Sequence, residues 1–168
     1  KVDFNFDTSD GAADWCHMNA IDYNPFFDQI LLSVPTFNEI WIIDHSTTTA
    51  QAAGNSGGFA GQGGQLIYRW GNPAAYQQGS EADQKLFYQH DAHWISFGLP
   101  AGDPDFGKIA VFNNRQDGDI STVNYIAPLY DEYELNYPLN EDTYGPEDFS
   151  FTYSSDVPTD MFSNILSS

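Results

Sequence analysis

Short apolar runs bounded by turn-forming residues predict β-strands along the chain, and no long amphipathic helix is evident. Residues 29–34 (QILLSV) and 39–44 (EIWIID) are short runs rich in Ile, Leu and Trp, and the turn-forming residues PTFN separate them. Residues 19–23 and 65–71 (QLIYRWG) give two further strand-like segments on either side of this pair. The four segments together predict one antiparallel unit of the size of a β-propeller blade with an inserted loop.

The same order of segments occurs a second time along the chain. Residues 86–97 resemble the first segment, residues 107–114 the second, residues 121–129 the third and residues 147–155 the fourth. The segment after Asp156 resembles the approach to a third unit. A propeller hides its sheet edges only when the ring of blades is closed, and two blades cannot close it. We therefore expect an all-β fold that forms about two blades, and the start of a third, of a longer propeller.

The repeat assigns residues 1–168 to one β-propeller domain of which this chain is a fragment. The first blade spans about residues 14–73 and the second about residues 86–155, and residues 156–168 lead into the next blade. A complete β-sandwich of about eight strands is the alternative. The uneven loops, and a unit that starts without finishing, favour the propeller fragment.

The segments between the strands differ in character. Residues 46–64 (STTTAQAAGNSGGFAGQGG) are small and predict a long exposed loop. The acidic run at residues 131–148 contains several tyrosines and predicts a solvated loop whose aromatic rings are anchored on the blade. Ser80 is a suitable N-cap for one helical turn in SEADQKLF. Trp70 in RWGNP is expected to end the first blade and to pack between blades.

Charge excludes several classes of partner. The chain carries 24 acidic and 5 basic residues, and its formal net charge is −19. A surface this negative repels nucleic acids and anionic lipids, so we expect no nucleic-acid partner. No apolar run approaches the roughly 18 residues of a membrane helix, so we expect no membrane insertion. A site for an anion would have to gather the few cations of this acidic protein locally.

Cysteine chemistry contributes little to the expected function. Cys16 is the single cysteine, so the chain can form no internal disulfide and contains no CxxC motif. Its neighbours Trp15 and Met18 favour a buried, inert thiol over a nucleophile.

The histidines are the candidates for chemistry. The chain has four, and three of them lie in the stretches DWCHMN and YQHDAHW, where His17 and His90 occupy corresponding points of the two units. A neutral imidazole is a good nitrogen nucleophile and a fair leaving group, and it needs a partner that fixes its tautomer. Asp91 and Gln89 are candidate partners for His90. The alternative is a histidine packed near a sheet end and satisfied by a backbone carbonyl.

Three further side chains are expected to bind, orient or pack. Asn19 shares a strand face with His17, so it could bind substrate, hold His17 or cap a backbone group. His93 lies three residues after His90, on the opposite face of a regular strand, and is expected to pack between blades. His45 is expected to bond to the loop at residues 47–49. A zinc site from the HxxH pair is disfavoured because the two side chains diverge, so we expect no metal and no other cofactor.

Taken together, these stretches resemble the bacterial arylsulfotransferase family of PAPS-independent aryl-sulfate sulfotransferases. The segments DWCHMNAIDYNPFFDQILLS, EIWIIDHSTT, YRWGNP and QHDAHWI follow the order and spacing of that family between Asp14 and Leu129. The resemblance implies a six-bladed β-propeller with its active site at the central channel. In that family a histidine takes the sulfuryl group from an aryl sulfate, and the sulfohistidine passes it to a phenol. The QHxAxW motif places this residue at His90, and the DWxHxN motif places a second histidine at His17.

The chain departs from the family pattern at one position. The family has an arginine in an SSR-like segment, whereas the matching segment here is SVP (residues 33–35), with Pro35 in the arginine's place. Sulfuryl transfer spreads negative charge over the sulfuryl oxygens, which cationic donors stabilise. Arg69 is the candidate replacement for substrate binding, together with Asn19. His17 would act as the general acid for the departing phenolate.

The resulting expectation is a sulfotransferase that moves a sulfuryl group from an aryl sulfate to a phenol through a sulfohistidine. Its partners would be these small molecules, and a homodimer of the full-length chain is left open. A non-catalytic β-propeller binding module and an aryl-sulfate hydrolase are the alternatives. The resemblance implies a periplasmic or extracellular location, with the signal peptide outside this fragment.

Overall fold

A computed structural model of the chain describes residues 2, 3, 6, 13–96, 98–100, 102–117 and 120–155, without the side chains of residues 115–117. Almost all of the regular structure in these residues is β-strand. The strands are β1 Ala20–Asn24, β2 Gln29–Val34, β3 Glu39–Asp44, β4 Leu66–Trp70, β5 His90–Ile95, β6 Lys108–Asp117, β7 Ile120–Ile126, β8 Leu139–Asn140, β9 Thr143–Tyr144 and β10 Phe151–Tyr153. Within the described ranges, no helix is long and apolar enough to cross a membrane.

Two four-stranded antiparallel sheets carry the fold. The first has the order β1-β2-β3-β4, and the second has the order β5-β6-β7-β10, while β8 and β9 form a separate hairpin. The first strand of each sheet lies at an edge, and these two edge strands, β1 and β5, contact each other. The prediction of an all-β fold is confirmed. The number of blades, the assignment to one propeller domain and its blade limits stay predictions.

The turns of the first sheet explain its strand limits. β2 and β3 begin and end at the predicted residues. Asp28 and Asn38 precede these strands with φ angles of 51° and 55°, a left-handed conformation that Asp and Asn tolerate better than most residues. These reversals therefore pair β1 with β2 and β2 with β3 in continuous register.

The small-residue segment at residues 46–64 is more ordered than a long exposed loop. It contains a short helix, α1 (Thr49–Ala52), whose N-terminus is closed by reciprocal hydrogen bonds between Thr48 and Gln51. The carboxylate of Asp44, at the end of β3, accepts hydrogen bonds from the backbone N–H groups of Ser46 at 2.9 Å and Ala60 at 2.8 Å. Asp44 therefore ties both ends of the segment to the first sheet.

The loops of the second unit pack on the first as expected. Trp70 packs against Phe149, and its indole N–H donates to the Pro146 carbonyl at 2.7 Å, which confirms its predicted packing role. Tyr137 from the acidic segment is buried and donates its hydroxyl to Gln29 at 2.6 Å, so the segment is anchored as predicted. Tyr133 is the exception, because 97% of it is exposed. The predicted turn after Ser80 is present as a 3₁₀ helix.

Both sheets contribute to one hydrophobic core, which packs β2, β3 and β4 of the first sheet against the second sheet. Its buried members are Leu31, Ile40, Ile42, Ile67, Tyr68, Trp70, Leu86, Ala92, Trp94, Ile109, Val111, Ile126 and Tyr137. β1 itself contacts β5, and a hydrogen bond joins them, since the Trp94 backbone N–H donates to the Asp22 carboxylate at 2.8 Å. The start of β1 and the start of β5 are therefore held in a defined relation, and the candidate site lies there.

Candidate functional site

The structure brings His17 and His90 together. His17 lies just before β1, and His90 is the first residue of β5, so the contact between these strands places both histidines at neighbouring strand starts. Their proximity has an electrostatic consequence. The pKa of His90 is lowered mainly by burial and also by the charge of His17, while the Tyr88 carbonyl opposes the shift.

Asn19 connects the two histidine-bearing segments. Its side-chain amide donates to the Gln89 carbonyl at 2.8 Å. Gln89 is fully buried, and its own amide nitrogen donates to the Glu39 carbonyl at 2.7 Å. Gln89 is therefore fixed to the first sheet, and this also fixes the backbone position of His90, the next residue. Of the three roles considered for Asn19, capping of a backbone group is the one observed, and a contact with substrate stays a prediction.

His17 has a carboxylate partner. Its Nδ1 lies 2.7 Å from Oδ2 of Asp14, three residues earlier in the chain. An ionised carboxylate can only accept, so Nδ1 of His17 carries the proton and donates it to Asp14. The other ring nitrogen, Nε2, is therefore available to act as acid or base. The three-residue spacing of Asp14 and His17 in DWCH is the sequence signal from which this pair could have been predicted.

His90 is held by groups that the sequence did not indicate. Its Nδ1 lies 3.1 Å from the Tyr88 carbonyl oxygen and 2.6 Å from the amide nitrogen of Asn114. The proposed partners differ from these, because Asp91 is exposed and Gln89 turns its side chain to the first sheet. The carbonyl contact also suits a histidine with a packing role. Because Nδ1 faces these two groups, Nε2 is the ring nitrogen left for chemistry.

Two expectations about the other histidines are wrong. The side chain of His93 is 49% exposed and contacts the Asp91 carbonyl at 2.9 Å, rather than packing between sheets. The β5–β6 register shifts between His90 and His93, and Asp91 has a φ of 53°, so regular alternation does not apply here. His45 contacts the Asp28 carboxylate at 2.6 Å instead of the loop at residues 47–49.

Arg69 lies in a buried ion pair. Its Nη2 is 2.6 Å from Oε2 of Glu39, the indole N–H of Trp41 donates to the same oxygen at 2.7 Å, and only 5% of Arg69 is exposed. The guanidinium also lies over the ring of Tyr76. The predicted contact between Arg69 and substrate stays untested.

Neither the thiol nor a metal cluster adds to the site. Cys16 is partly buried, and burial, with a smaller effect of Asp14, raises the pKa of its thiol. A raised pKa favours the protonated thiol, so the inert role of Cys16 stays a prediction, and its burial is partial rather than complete. Among the described residues, no group of three His, Cys, Asp or Glu side chains is arranged to hold a metal ion.

Fold and site together define an all-β protein in which two adjacent sheets bring a pair of histidines to one place. The family model for Arylsulfotransferase (ASST) matches residues 3–167. The chain therefore belongs to the arylsulfotransferase family, which confirms the resemblance inferred from its motifs. A search of the curated proteins finds no match to this chain.

Proposed function

We propose that the protein transfers a sulfuryl group from an aryl sulfate to a phenol, with His90 as the sulfuryl carrier and His17 as the acid and base. The observation that supports this most is the juxtaposition of the two histidines, each of which has Nδ1 engaged by a partner and Nε2 left over. Two imidazoles in this arrangement can divide nucleophilic attack and proton transfer between them.

In the first half-reaction, Nε2 of His90 attacks the sulfur in the tautomer that carries its proton on Nδ1. The N–S bond forms as the S–O bond to the aryl group breaks, and the electron pair of that bond leaves with the phenolate oxygen. Protonated His17 gives its Nε2 proton to this oxygen, while Asp14 keeps the ring oriented. In the second half-reaction, His17 takes the proton of the acceptor phenol, whose oxygen attacks the sulfur. The O–S bond forms as the N–S bond breaks, and the electron pair of the N–S bond returns to Nε2 of His90.

The proposal assigns charge stabilisation to protonated His17. Arg69 is paired with Glu39, and Pro35 stands at the position of the family arginine. The imidazolium of His17 would therefore face the departing phenolate oxygen, and its positive charge would stabilise the negative charge that develops there. We also propose that the protein acts in the periplasm or outside the cell.

The missing arginine favours one alternative, a propeller that binds aryl sulfates without turning them over. Loss of a bidentate cation weakens transition-state stabilisation more than binding. Such a protein would bind the donor and release no phenol. An aryl-sulfate hydrolase, by contrast, would release phenol continuously without an added acceptor.

The test is to trap the sulfated histidine. The intact protein would be incubated with a chromogenic aryl sulfate and no acceptor, quenched at alkaline pH and mapped by mass spectrometry. We expect a sulfuryl group on the peptide that contains His90, and its loss in His90→Ala. His93→Ala is the matched control, because His93 is exposed, lies in the same peptide and should leave sulfation unchanged. An unmodified peptide with no phenol released would contradict the proposal.

A further inference from the structure

Asn114 contacts His90 more closely than any residue chosen from the sequence. It lies on β6, only 3% of it is exposed, and its amide nitrogen is 2.6 Å from Nδ1 of His90. The same nitrogen donates to the Tyr88 carbonyl at 2.6 Å, and the backbone carbonyl of Asn114 accepts from the Ser121 hydroxyl at 2.8 Å. The side chain and its backbone are thus fixed beside the ring.

The Tyr88 carbonyl determines which way the Asn114 amide points. A carbonyl oxygen only accepts hydrogen bonds, so the amide nitrogen must face it, and the opposite rotation would set oxygen against oxygen. The same nitrogen therefore faces His90, and an amide nitrogen only donates. The contact is favourable only when Nδ1 of His90 accepts, which places the proton of the neutral ring on Nε2.

The Tyr88 carbonyl favours the other tautomer, in which Nδ1 carries the proton. The two contacts differ in length, since Nδ1 lies 2.6 Å from the Asn114 nitrogen and 3.1 Å from the Tyr88 oxygen. A proton on Nδ1 would face the N–H groups of Asn114 across the shorter distance, whereas an unprotonated Nδ1 gives up only the longer contact with Tyr88. Nδ1 is therefore an acceptor in the resting ring.

We propose that Asn114 is a positioning residue that holds neutral His90 with its proton on Nε2 in the free protein. The inference rests on the proposed function only in taking His90 as the sulfuryl carrier. In this tautomer His90 presents an N–H donor to an arriving sulfate anion, which suits a chain with a net charge of −19 and a proline in place of the family arginine. Transfer of one proton from Nε2 to Nδ1, which then donates to Tyr88, produces the nucleophilic tautomer.

Asn113 provides the control for a merely structural effect. Its side chain accepts from the Phe87 backbone N–H at 2.8 Å and donates to the Lys85 carbonyl at 2.9 Å. The Asn113 side chain thus holds the same segment before His90, but it bonds to the backbone of that segment and not to the His90 ring. A variant at Asn113 loosens that segment and leaves the ring contact of Asn114 in place.

The tautomer can be measured directly. The intact protein, labelled with ¹⁵N-histidine and free of substrate, would be studied at pH 8 by long-range ¹H–¹⁵N NMR, with His90→Gln to assign the ring. We expect the proton on Nε2 in the wild type and in Asn113→Ala. In Asn114→Asp the carboxylate accepts from Nδ1, and in Asn114→Ala only the Tyr88 carbonyl remains beside Nδ1, so the proton should move to Nδ1 in both.

The same change should alter substrate binding. Loss of the Nε2–H donor of resting His90 should raise KM for the aryl sulfate about tenfold in Asn114→Ala.

Three results would overturn the inference: a proton on Nδ1 in the wild type, no change in either Asn114 variant, or an equal change in Asn113→Ala. The last would make the segment, rather than Asn114, the cause. The NMR measurement uses no substrate, so its result does not depend on the outcome of the sulfation experiment. The expected tautomers without a sulfated His90 would reject the proposed function and leave this inference standing.

Discussion

The reactivity of His90 depends on the protonation of one ring. Burial lowers its pKa, the charge of His17 adds to that effect, and the Tyr88 carbonyl partly opposes it. A base with a lowered pKa keeps its neutral form at lower pH, and the neutral form is the nucleophile. We expect the acid limb of the profile of kcat/KM against pH to lie below 6.5, the ordinary value for histidine. An acid limb at or above that value would contradict this prediction.

Replacement of His17 gives a matched test of the same site. His17→Gln removes a positive charge that lowers the pKa of His90, so that pKa should rise. NMR titration of the His90 ring in the intact protein measures this without relying on activity. His45→Gln serves as the control, because His45 is paired with Asp28. An unchanged His90 titration in His17→Gln would mean that the two rings do not interact.

Arg69 is expected to matter for stability. Arg69→Ala would leave the carboxylate of Glu39 fully buried without its cation, and removal of one partner from such a pair costs about 3–5 kcal/mol. Urea unfolding of the intact protein would measure the loss. The double variant Arg69→Met, Glu39→Gln should recover part of it, because no unpaired charge remains. A normal stability with a raised KM for aryl sulfate would instead place Arg69 at the substrate.

At the residue scale, the motifs predicted which histidines meet but not what holds them. His17 and His90 follow from their equivalent places in two repeated units. Asn114 could not be predicted in the same way, because the strand pairing of β5 with β6 brings it to His90 from 24 residues away. The ion pair of Arg69 with Glu39 likewise depends on the register of β3 with β4, which a bulge shifts.

At the scale of elements, the segment at residues 46–64 depends on close backbone approach. Gly58 has a φ of +76°, and a Cβ there would overlap the Asp44 carboxylate, whereas Gly61 has a φ of +70° and open space around it. Gly61→Ala should cost only the strain of a left-handed alanine, about 1 kcal/mol. Gly58→Ala should cost about 2–4 kcal/mol, because it also displaces Asp44 from its hydrogen bonds. Equal losses in urea unfolding would show that Asp44 does not anchor the segment.

The elements that sequence patterns predicted best are those bounded by local turns. β2 and β3 match their predicted limits, whereas β5 begins at His90 and the pattern placed its start at residue 86. The chain bends just before His90, with a φ of 52° at Tyr88, and lies outside the ladder, where the Asn113 side chain satisfies backbone groups of Lys85 and Phe87. An apolar pattern cannot distinguish these two ways of satisfying a backbone.

At the scale of the whole molecule, the shared core stabilises the two sheets, whereas their exposed outer faces destabilise them. The core joins both sheets, so in the intact protein, where further blades cover their outer faces, the two sheets should unfold as one unit. The outward faces carry large apolar side chains that the described part of the chain leaves uncovered. Ile21 on β1 is 72% exposed, and Phe151 and Tyr153 on β10 are 46% and 53% exposed. A propeller ring would cover such faces with further blades, which agrees with the proposed architecture.

These faces predict how residues 1–168 behave when they are produced alone. Exposed apolar sheet faces favour association, whereas a net charge of −19 opposes it through repulsion that salt screens. We therefore expect association that grows with ionic strength, measured by analytical ultracentrifugation, together with a broad, poorly reversible thermal transition. Ile21→Lys combined with Phe151→Lys should reduce the association, because charge on a sheet face disfavours stacking. A sharp, reversible transition of a monomer in high salt would show that the two sheets need no further cover.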